Sequence, residues 1–321
     1  MPGFLLMVGG LKMVEWVLSR ATDILLALLV MAVALWCLLT QPVLSFSGGK
    51  APELGLGPAM LDERVRAIAS IAETQVDKQS RFNATAAYML QQLEVIGGVE
   101  QVERGENLRI IHAELGDKTR RKLFIGLHYV ITDHQIPEIV RAAVSFLELA
   151  SLLSVQEQLD MHLDLSIFLH RDDAREALAQ SLKDASVYHV DQLVQQQRED
   201  DLGLLFAPGL RIPDAAYTSD QWRYFNLLLP SADAELSLFG RLRDVRQLRF
   251  LKGELEKQGL HSINSLSIPV NFSGTDESPL KFYWERDLSV LLARSNMLSA
   301  DDYELYINFI SSLFGLIKEG A

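Results

Sequence analysis

One stretch near the amino terminus constrains this chain more than any other feature of its sequence. No charged side chain lies between Asp23 and Lys50, and residues 24–40 read ILLALLVMAVALWCLLT. A helix of about 20 apolar residues is long enough to cross the hydrocarbon core of a bilayer. We therefore expect one transmembrane helix at roughly residues 22–42, inside an anchor segment of residues 22–46.

A cleaved signal peptide is the competing interpretation of the same run. The run is longer than a usual signal-peptide core, and residues 45–47 (Ser-Phe-Ser) form a poor cleavage site, so a retained anchor is favoured. Lys12 and Arg20 precede the span and Lys50 follows it. Because Lys and Arg accumulate on the cytoplasmic side, we expect the C-terminal domain on the extracytoplasmic side, periplasmic or luminal.

Two short segments flank this anchor. Residues 1–21 are mostly apolar but are interrupted by two consecutive glycines. We expect either a helix in the membrane interface or against a partner's span, or simply a hydrophobic lead-in. Residues 47–59 (SGGKAPELGLGPA) are typical of a Gly/Pro linker, so residues 60–321 form the folded domain.

Charge and cysteine content exclude several classes of protein. The 321 residues include 30 Lys+Arg against 42 Asp+Glu, which argues against a nucleic-acid partner because such proteins carry a basic stripe. The single cysteine, Cys37, excludes an intramolecular disulfide and any multi-cysteine metal site. It lies inside the expected span, where it cannot serve as a nucleophile for soluble substrates.

Apolar periodicity predicts an α/β domain after the linker. Helices are expected at about 60–76, 82–96, 137–153, 172–184, 219–229, 243–258, 285–294 and 300–317. Strands are expected at 108–115, 122–130, 163–170, 203–207 and 266–272. Strands that alternate with helices favour a three-layer α/β/α sandwich with a mostly parallel central sheet.

Candidate metal ligands follow two of these strands. His128 and then His134 come at the end of the 122–130 strand, and His170, Asp172 and Asp173 come at the end of the 163–170 strand. Ligands of open α/β sheets collect outside the carboxyl ends of the strands, and imidazole and carboxylate are usual zinc ligands. The structural alternative is a hydrogen-bonded histidine at a strand end and an aspartate that caps the following helix. The other histidines look like ordinary, partly exposed positions: His112, His162, His189 and His261.

Four stretches in this order carry a resemblance to a known family: AAYMLQQL at 86–93, ENLRIIHAEL at 106–115, KLFIGLHY at 122–129 and FLELASLL at 146–153. Together they resemble the zinc-dependent aminopeptidase group, metallopeptidase family twenty-eight, which includes glutaminyl cyclases and nicastrin-like proteins. The similarity covers roughly residues 60–175. It implies a zinc exopeptidase-like fold.

The same resemblance implies a degenerate metal site. Of the family's zinc ligands only His128 carries over directly, and the aspartate expected two residues later is Val130. The bridging aspartate falls at Pro137, with Glu138 beside it. The paired glutamates fall at Arg171-Asp172, or at Asp172-Asp173 if the register slips by one residue. A two-metal site needs a bridging carboxylate and further ligands on each ion.

We therefore expect a membrane-anchored, catalytically inactive peptidase-like domain that serves as a protein- or peptide-binding subunit of a membrane complex, with no cofactor. One alternative is an active membrane-bound zinc aminopeptidase or related amide-processing enzyme with altered metal ligands. Another is a structural subunit assembled through its N-terminal membrane region. In the active case, His128, His134, His170 and Asp172 are the candidate metal ligands, and Asp172, Asp173 and Glu138 are the candidate catalytic remnants.

Overall fold

The computed structural model describes residues 20–21, 23–37, 54–75, 77–120, 122–131, 137–156, 159, 161–172, 175–196, 202–206, 236–258, 260, 263–268, 279–295 and 303–318. Residues 20–21 and 23–37 are helical. In the part of the chain that is described, no helix combines the length and the hydropathy needed to cross a membrane.

The folded domain contains helices and strands with the following bounds. The helices are α1 (Pro58–Thr74), α2 (Lys78–Glu94), α3 (Pro137–Ser154), α4 (Arg175–Gln195), α5 (Val245–Lys257), α6 (Leu280–Glu285) and α7 (Tyr303–Lys318). The strands are β1 (Val99–Arg104), β2 (Leu108–Leu115), β3 (Lys122–Ile131), β4 (His162–Arg171), β5 (Leu202–Phe206), β6 (Leu236–Arg241), β7 (Ile263–Ile268) and β8 (Ser289–Ser295).

The described strands form one mixed sheet in the order β1-β2-β4-β3-β5-β8-β6-β7. Its centre is parallel, because β3 pairs in parallel with β4 and β5, and β5 pairs in parallel with β8. The flanks are less regular: β1–β2, β2–β4 and β6–β8 are antiparallel, and β6–β7 is parallel. The prediction of a mostly parallel sheet thus describes the centre of the sheet.

Helices cover both faces of the sheet. One core cluster packs α1, α2, α3, α5 and α7 against the sheet. A smaller cluster packs α4 and α6 against the other face, through Phe124, Phe168 and Tyr283 among others. Central strands covered on both faces read as nearly continuous apolar runs, which is why β3 and β4 were recognisable in the sequence.

Local chemistry explains how some of these elements begin and approach each other. Asp77 caps α2, because its carboxylate accepts a hydrogen bond of 2.8 Å from the backbone N–H of Ser80. Gly116, at φ +86°, ends β2 where a Cβ atom would lie 2.5 Å from the carbonyl oxygen of Met161. This glycine therefore lets the end of β2 approach the residue just before β4.

The structure corrects several sequence-based boundaries. The helix predicted near 285–294 is wrong: the chain forms the short α6, turns at Asp287 with φ +64°, and continues as strand β8. A short apolar run such as Ser-Val-Leu-Leu-Ala does not distinguish a buried strand from a helix by periodicity. Strands β1 and β6 were not predicted, and α4 runs eleven residues beyond the expected 172–184. The helix predicted at 219–229 lies outside the described residues.

Candidate functional site

Two of the predicted site residues, His128 and His170, lie side by side in the structure. Nδ1 of His128 lies 3.0 Å from Nε2 of His170, and Nδ1 of His170 lies 2.8 Å from the hydroxyl oxygen of Ser181 on α4. Ser181 in turn donates a hydrogen bond of 3.2 Å to the carbonyl oxygen of Asn107. The pair is thus one end of a hydrogen-bonded chain that joins β3, β4, α4 and the start of β2.

The surroundings of this pair keep both imidazoles neutral. Both side chains are fully buried, and the ring of His128 stacks on Phe168 with centroids 4.8 Å apart. Burial, with a smaller effect of His189, lowers the pKa of His128 to about 3. Burial and the neighbouring His128 also hold the pKa of His170 well below its usual value. Buried groups of this kind resist charging because the low-polarity interior disfavours an ion.

The remaining predicted residues contribute no described ligand to this pair. Asp172 is half-buried, its backbone N–H donates to the carbonyl oxygen of Ile131, and its own carbonyl oxygen accepts from Lys78. His134 and Asp173 lie outside the described residues, as does the side chain of Glu138. Of the candidate metal ligands, the structure therefore describes the side chains of His128, His170 and Asp172.

These described residues do not make a zinc site. Zinc in proteins usually has three or four protein ligands. Both ring nitrogens of His170 already have partners, so one imidazole nitrogen, Nε2 of His128, remains without a hydrogen-bond partner among the described residues. No group of three or more histidine, cysteine or acidic side chains in the traced segments is placed to hold a metal ion.

A second polar cluster lies further back along the same face of β4. Nδ1 of His112 lies 3.0 Å from Oδ1 of Asp164 and 3.2 Å from the hydroxyl oxygen of Ser166, which also donates to Asp164. His189 on α4 places Nε2 3.9 Å from Oδ2 of Asp164, and its Nδ1 lies 2.9 Å from the hydroxyl oxygen of Tyr283. Asp164 is thus approached by an imidazole on each side.

Asp164 dominates the electrostatics of this second cluster. Burial acts to raise the pKa of its carboxyl, but His112 and His189 more than offset it and hold the pKa well below the usual value. Burial acts to lower the pKa of His112, but the hydrogen bond and charge of Asp164, helped by Glu114 and Glu100, raise it overall. The pKa of Tyr283 is raised well above its usual value by burial and by the charge of Asp164. Asp164 is therefore ionised and Tyr283 is protonated near neutral pH.

The cluster does not form a serine-nucleophile triad. In such a triad the serine and the carboxylate contact opposite nitrogens of the histidine. Here Ser166 and Asp164 both approach Nδ1 of His112, whereas its Nε2 faces Glu114 at 3.7 Å.

A cavity of about 230 Å³ opens beside this cluster, between the sheet and the C-terminal half of α4. Its polar lining includes Glu100 on β1, His112 and Glu114 on β2, Asp164 on β4 and His189 on α4. The cavity lies near the start of β4, whereas the His128–His170 pair lies near its end. The structure therefore separates two polar regions on one face.

Sequence reasoning missed this second region. The expectation that His162 and His189 are partly exposed is wrong, since they are 2% and 4% exposed, whereas His112 is indeed partly exposed. The available signal was the alternation within β4, where every second residue from His162 to His170 is polar except Phe168. Polar residues with a period of two in an otherwise apolar strand predict one polar face under a covering helix.

Comparison with known proteins assigns the fold. No family model matches the sequence, and no curated protein matches it either. Among solved structures, glutaminyl cyclase from Porphyromonas gingivalis has 10% sequence identity and a TM-score of 0.54, over 83% of this chain and 99% of that one. Glutaminyl cyclase from an Acidobacteriales bacterium has 9% identity and a TM-score of 0.51, over 87% and 99%. That from Fimbriiglobus ruber has 11% identity and a TM-score of 0.50, over 86% and 99%.

Identities this low speak for the shared fold and not for a shared reaction. The similarity reaches along almost the full length of each of these enzymes. The expectation of a zinc exopeptidase-like scaffold is therefore supported at the level of the fold. The chain has the α/β fold of the glutaminyl cyclases.

Proposed function

We propose that this chain is a membrane-anchored, non-catalytic relative of the glutaminyl cyclase and aminopeptidase fold, and that its domain binds a protein or peptide as a subunit of a membrane complex. The observation that carries the proposal is the pairing of His128 with His170. The nitrogens of His170 are both committed, and one of the two nitrogens of His128 is as well. Imidazoles used in this way hold strands and a helix together and are not available as a ligand set.

Burial supports the same interpretation. A catalytic zinc keeps a coordination position open for water or substrate, so its ligands must face an accessible space. His128 and His170 are instead both 0% exposed, under α4 and against Phe168. We therefore assign the pair a structural role in the packing of α4 on the sheet.

The N-terminal helix supports the membrane part of the proposal. Within residues 23–37 the large apolar side chains are exposed, with exposed fractions of 52–68% for those from Ile24 to Leu35 and 37% for Trp36. Fifteen helical residues extend about 22 Å, which is shorter than the roughly 30 Å hydrocarbon core. The proposed span at roughly residues 22–42, inside the anchor segment 22–46, extends beyond the described helix. We place residues 60–321 on the extracytoplasmic side.

Metal content and turnover test the proposal directly. The full chain is purified in detergent, equilibrated with Zn²⁺ and dialysed, and its zinc is counted by elemental analysis. The same samples are assayed with glutaminyl-peptide cyclisation substrates and aminopeptidase substrates. We expect well below one zinc per chain and no turnover above buffer.

Two variants test whether any bound zinc or turnover depends on His128. His128→Asn removes the one imidazole nitrogen that has no described hydrogen-bond partner, and His112→Asn removes a histidine from the other cluster. We expect neither variant to change zinc content or turnover. One zinc per chain, together with turnover that is lost in His128→Asn and kept in His112→Asn, would establish the zinc enzyme instead.

A third experiment separates a binding domain from a purely structural subunit. Residues 1–46 are exchanged for an unrelated single-span anchor, and the complex is isolated from cross-linked native membranes. We expect the folded domain to retain its cross-linked partner after the exchange. If the partner is lost with the native span, assembly depends on the membrane region.

A further inference from the structure

The two edges of the described sheet differ in their exposure. All six residues of β7, at one edge, are buried. In β1, at the other edge, Val99 and Val102 are half-buried and the remaining four residues are exposed. Among the strands that the structure describes, β1 pairs with β2 alone, so the backbone N–H and C=O groups of every second residue point away from the sheet. β1 is therefore the open edge.

The backbone of β1 lacks two features by which proteins often block such an edge. Its sequence, VEQVER, contains no proline, and its register with β2 is continuous from Val99 to Arg104, without a bulge. Proline and bulges prevent a further strand from adding to an edge. The outer side of β1 can therefore hydrogen-bond a second strand along its length.

β1 is also held in place from both faces of the sheet. Val99 packs on the core cluster that contains α2, and Val102 packs on the cluster under α4. The guanidinium of Arg104 lies over the ring of Tyr188 on α4, 4.4 Å from the ring centroid. Because β1 is already ordered, binding a further strand does not incur the entropy cost of ordering it.

The side chains of β1 alternate between the two faces of the sheet. Glu100 and Val102 lie on the face covered by α4, where they line the cavity, and Arg104 lies on that face against Tyr188. Glu100 and Arg104 are both exposed, carry opposite charges and lie on either side of Val102. Glu100 has no hydrogen bond or ion pair within the residues that are traced, so its carboxylate is available to a neighbouring strand.

This order of charges is complementary to itself under twofold symmetry. In an antiparallel pair of β1 strands with the axis at Val102, Glu100 of each copy lies opposite Arg104 of the other. Moving the axis to Gln101 places Glu100 opposite Val102. Moving it to Glu100 or to Glu103 places that glutamate opposite its own copy. Opposite charges on facing residues stabilise a strand pair and like charges destabilise it, so the register centred on Val102 is favoured.

We propose that two copies of this chain associate through β1, so that their sheets continue as one across an antiparallel β1–β1 pair centred on Val102. The backbone groups of the open edge form the hydrogen bonds, and two Glu100–Arg104 pairs fix the register. Use of the same patch on both subunits is the usual form of a homodimer. The association does not depend on whether the domain is catalytic, so it stands apart from the function proposed above.

Cysteine cross-linking tests the register directly. In the full chain in detergent, Cys37→Ser removes the one native thiol, and Val102→Cys or Gln101→Cys adds one on β1. Residue 102 faces its own copy across the axis, with Cβ atoms about 4.5–5.5 Å apart. Residue 101 is two strand positions away from its own copy, about 8 Å between Cα atoms, which is too far for a disulfide.

With copper phenanthroline as the oxidant, we expect Val102→Cys to form a covalent dimer on the order of tenfold faster than Gln101→Cys. Random collisions would favour Gln101→Cys instead, because residue 101 is the more exposed of the two. Equal rates, or no covalent dimer from Val102→Cys, overturn the proposal.

Charge reversal tests what fixes the register. Glu100→Arg places arginine opposite arginine, and Arg104→Glu places glutamate opposite glutamate. Each single variant should weaken dimerisation about tenfold, measured by sedimentation equilibrium of the full chain in detergent. The double variant restores opposite charges and should dimerise as the native chain does.

Glu73→Arg is the matched control for Glu100→Arg, because it makes the same change in net charge at an exposed position on α1. It should dimerise as the native chain does. Circular dichroism shows whether each variant is folded, and if a charge variant is not, the comparison of Val102→Cys with Gln101→Cys decides alone. A double variant that stays as weak as the single ones, or equal weakening by Glu73→Arg and Glu100→Arg, overturns the proposal.

Discussion

Nδ1 of His128 and Nε2 of His170 lie 3.0 Å apart in a fully buried position, so that an N–H of one ring faces a lone pair of the other. Charging either ring would bring an ion into a space that holds no described carboxylate partner. The pKa of His128 is accordingly lowered to about 3 by burial, and that of His170 is lowered well below its usual value by burial and by His128. The pair links the stability of the domain to pH.

We predict that acid destabilises the folded chain below about pH 6.5. Between the ordinary histidine pKa of about 6.5 and the folded value of about 3, the unfolded chain binds a proton at His128 that the folded chain does not. The free energy of unfolding should therefore fall by about 1.4 kcal/mol per pH unit for each of the two histidines. Urea unfolding at pH values from about 7.5 to about 4.5 measures this slope.

Two histidine variants test whether the pH dependence of the free energy of unfolding arises from the buried histidine pair. His128→Asn should reduce the slope below pH 6.5 by about 1.4 kcal/mol per unit, because one proton no longer distinguishes the two states. His112→Asn should leave that slope unchanged. The pKa of His112 is raised in the folded chain, so its contribution is complete below the unfolded value and is lost only as pH rises through the folded one. An identical slope in native chain and His128→Asn would contradict the assignment.

A second prediction concerns Arg241, which is 1% exposed at the end of β6. Its Nε lies 2.5 Å and its Nη2 3.0 Å from the two carboxylate oxygens of Asp244, and its guanidinium also donates to the carbonyl oxygens of Trp284 and Leu288. Removing Asp244 leaves this buried charge with the exposed carboxylate of Asp287, 3.4 Å from Nη1, and breaking a buried ion pair is strongly destabilising. Asp244→Ala should lower the free energy of unfolding by about 3–5 kcal/mol.

The matched control for Asp244→Ala is Arg243→Ala. Arg243 pairs with Asp287, which also lies 3.4 Å from Nη1 of Arg241, and the side chains of Arg243 and Asp287 are both more than half exposed. Exposed pairs contribute at most about 1 kcal/mol, so Arg243→Ala should change unfolding by less than that. Equal effects of Asp244→Ala and Arg243→Ala in urea unfolding would show that the buried Arg241–Asp244 pair contributes no more to stability than the exposed pair does.

Sequence reasoning recovered the central elements because their patterns are strong. β3 and α3 were predicted to within one residue at each end, since β3 is a long apolar run and α3 begins at Pro137, which suits a first helical turn. The edge strand β1, with sequence VEQVER, was missed because it has few apolar residues and faces solvent on much of its surface. β8 was mistaken for a helix because strands buried on both faces lack the alternation of apolar and polar residues that identifies a strand.

The candidate site was predictable only in part. His128 and His170 were both singled out from the ends of β3 and β4, but the sequence could not show that they hydrogen-bond each other. That contact depends on the parallel register, which places His128 beside Phe168 and Val130 beside His170. The cluster around Asp164 was missed because it combines β2, β4, α4 and α6, whose proximity is set by tertiary packing.

The last prediction concerns Gly203, in the strand beside Phe124. A Cβ atom at Gly203 would lie 1.9 Å from the ring of Phe124. That ring is held by His189 and Tyr283, with centroids 4.9 Å and 5.9 Å away, so it cannot move without displacing both.

We expect Gly203→Ala to destabilise the chain by about 1–3 kcal/mol, as overpacking of a filled core does. Gly253, inside α5, has no atom within 4 Å of an added Cβ, and Gly253→Ala should instead stabilise by about 0.5–1 kcal/mol through helix propensity. Urea unfolding of the two variants under the same conditions gives both values. A Gly203→Ala variant as stable as the native chain would mean that the ring of Phe124 has free space, and the packing of His189 against it would need to be reassigned.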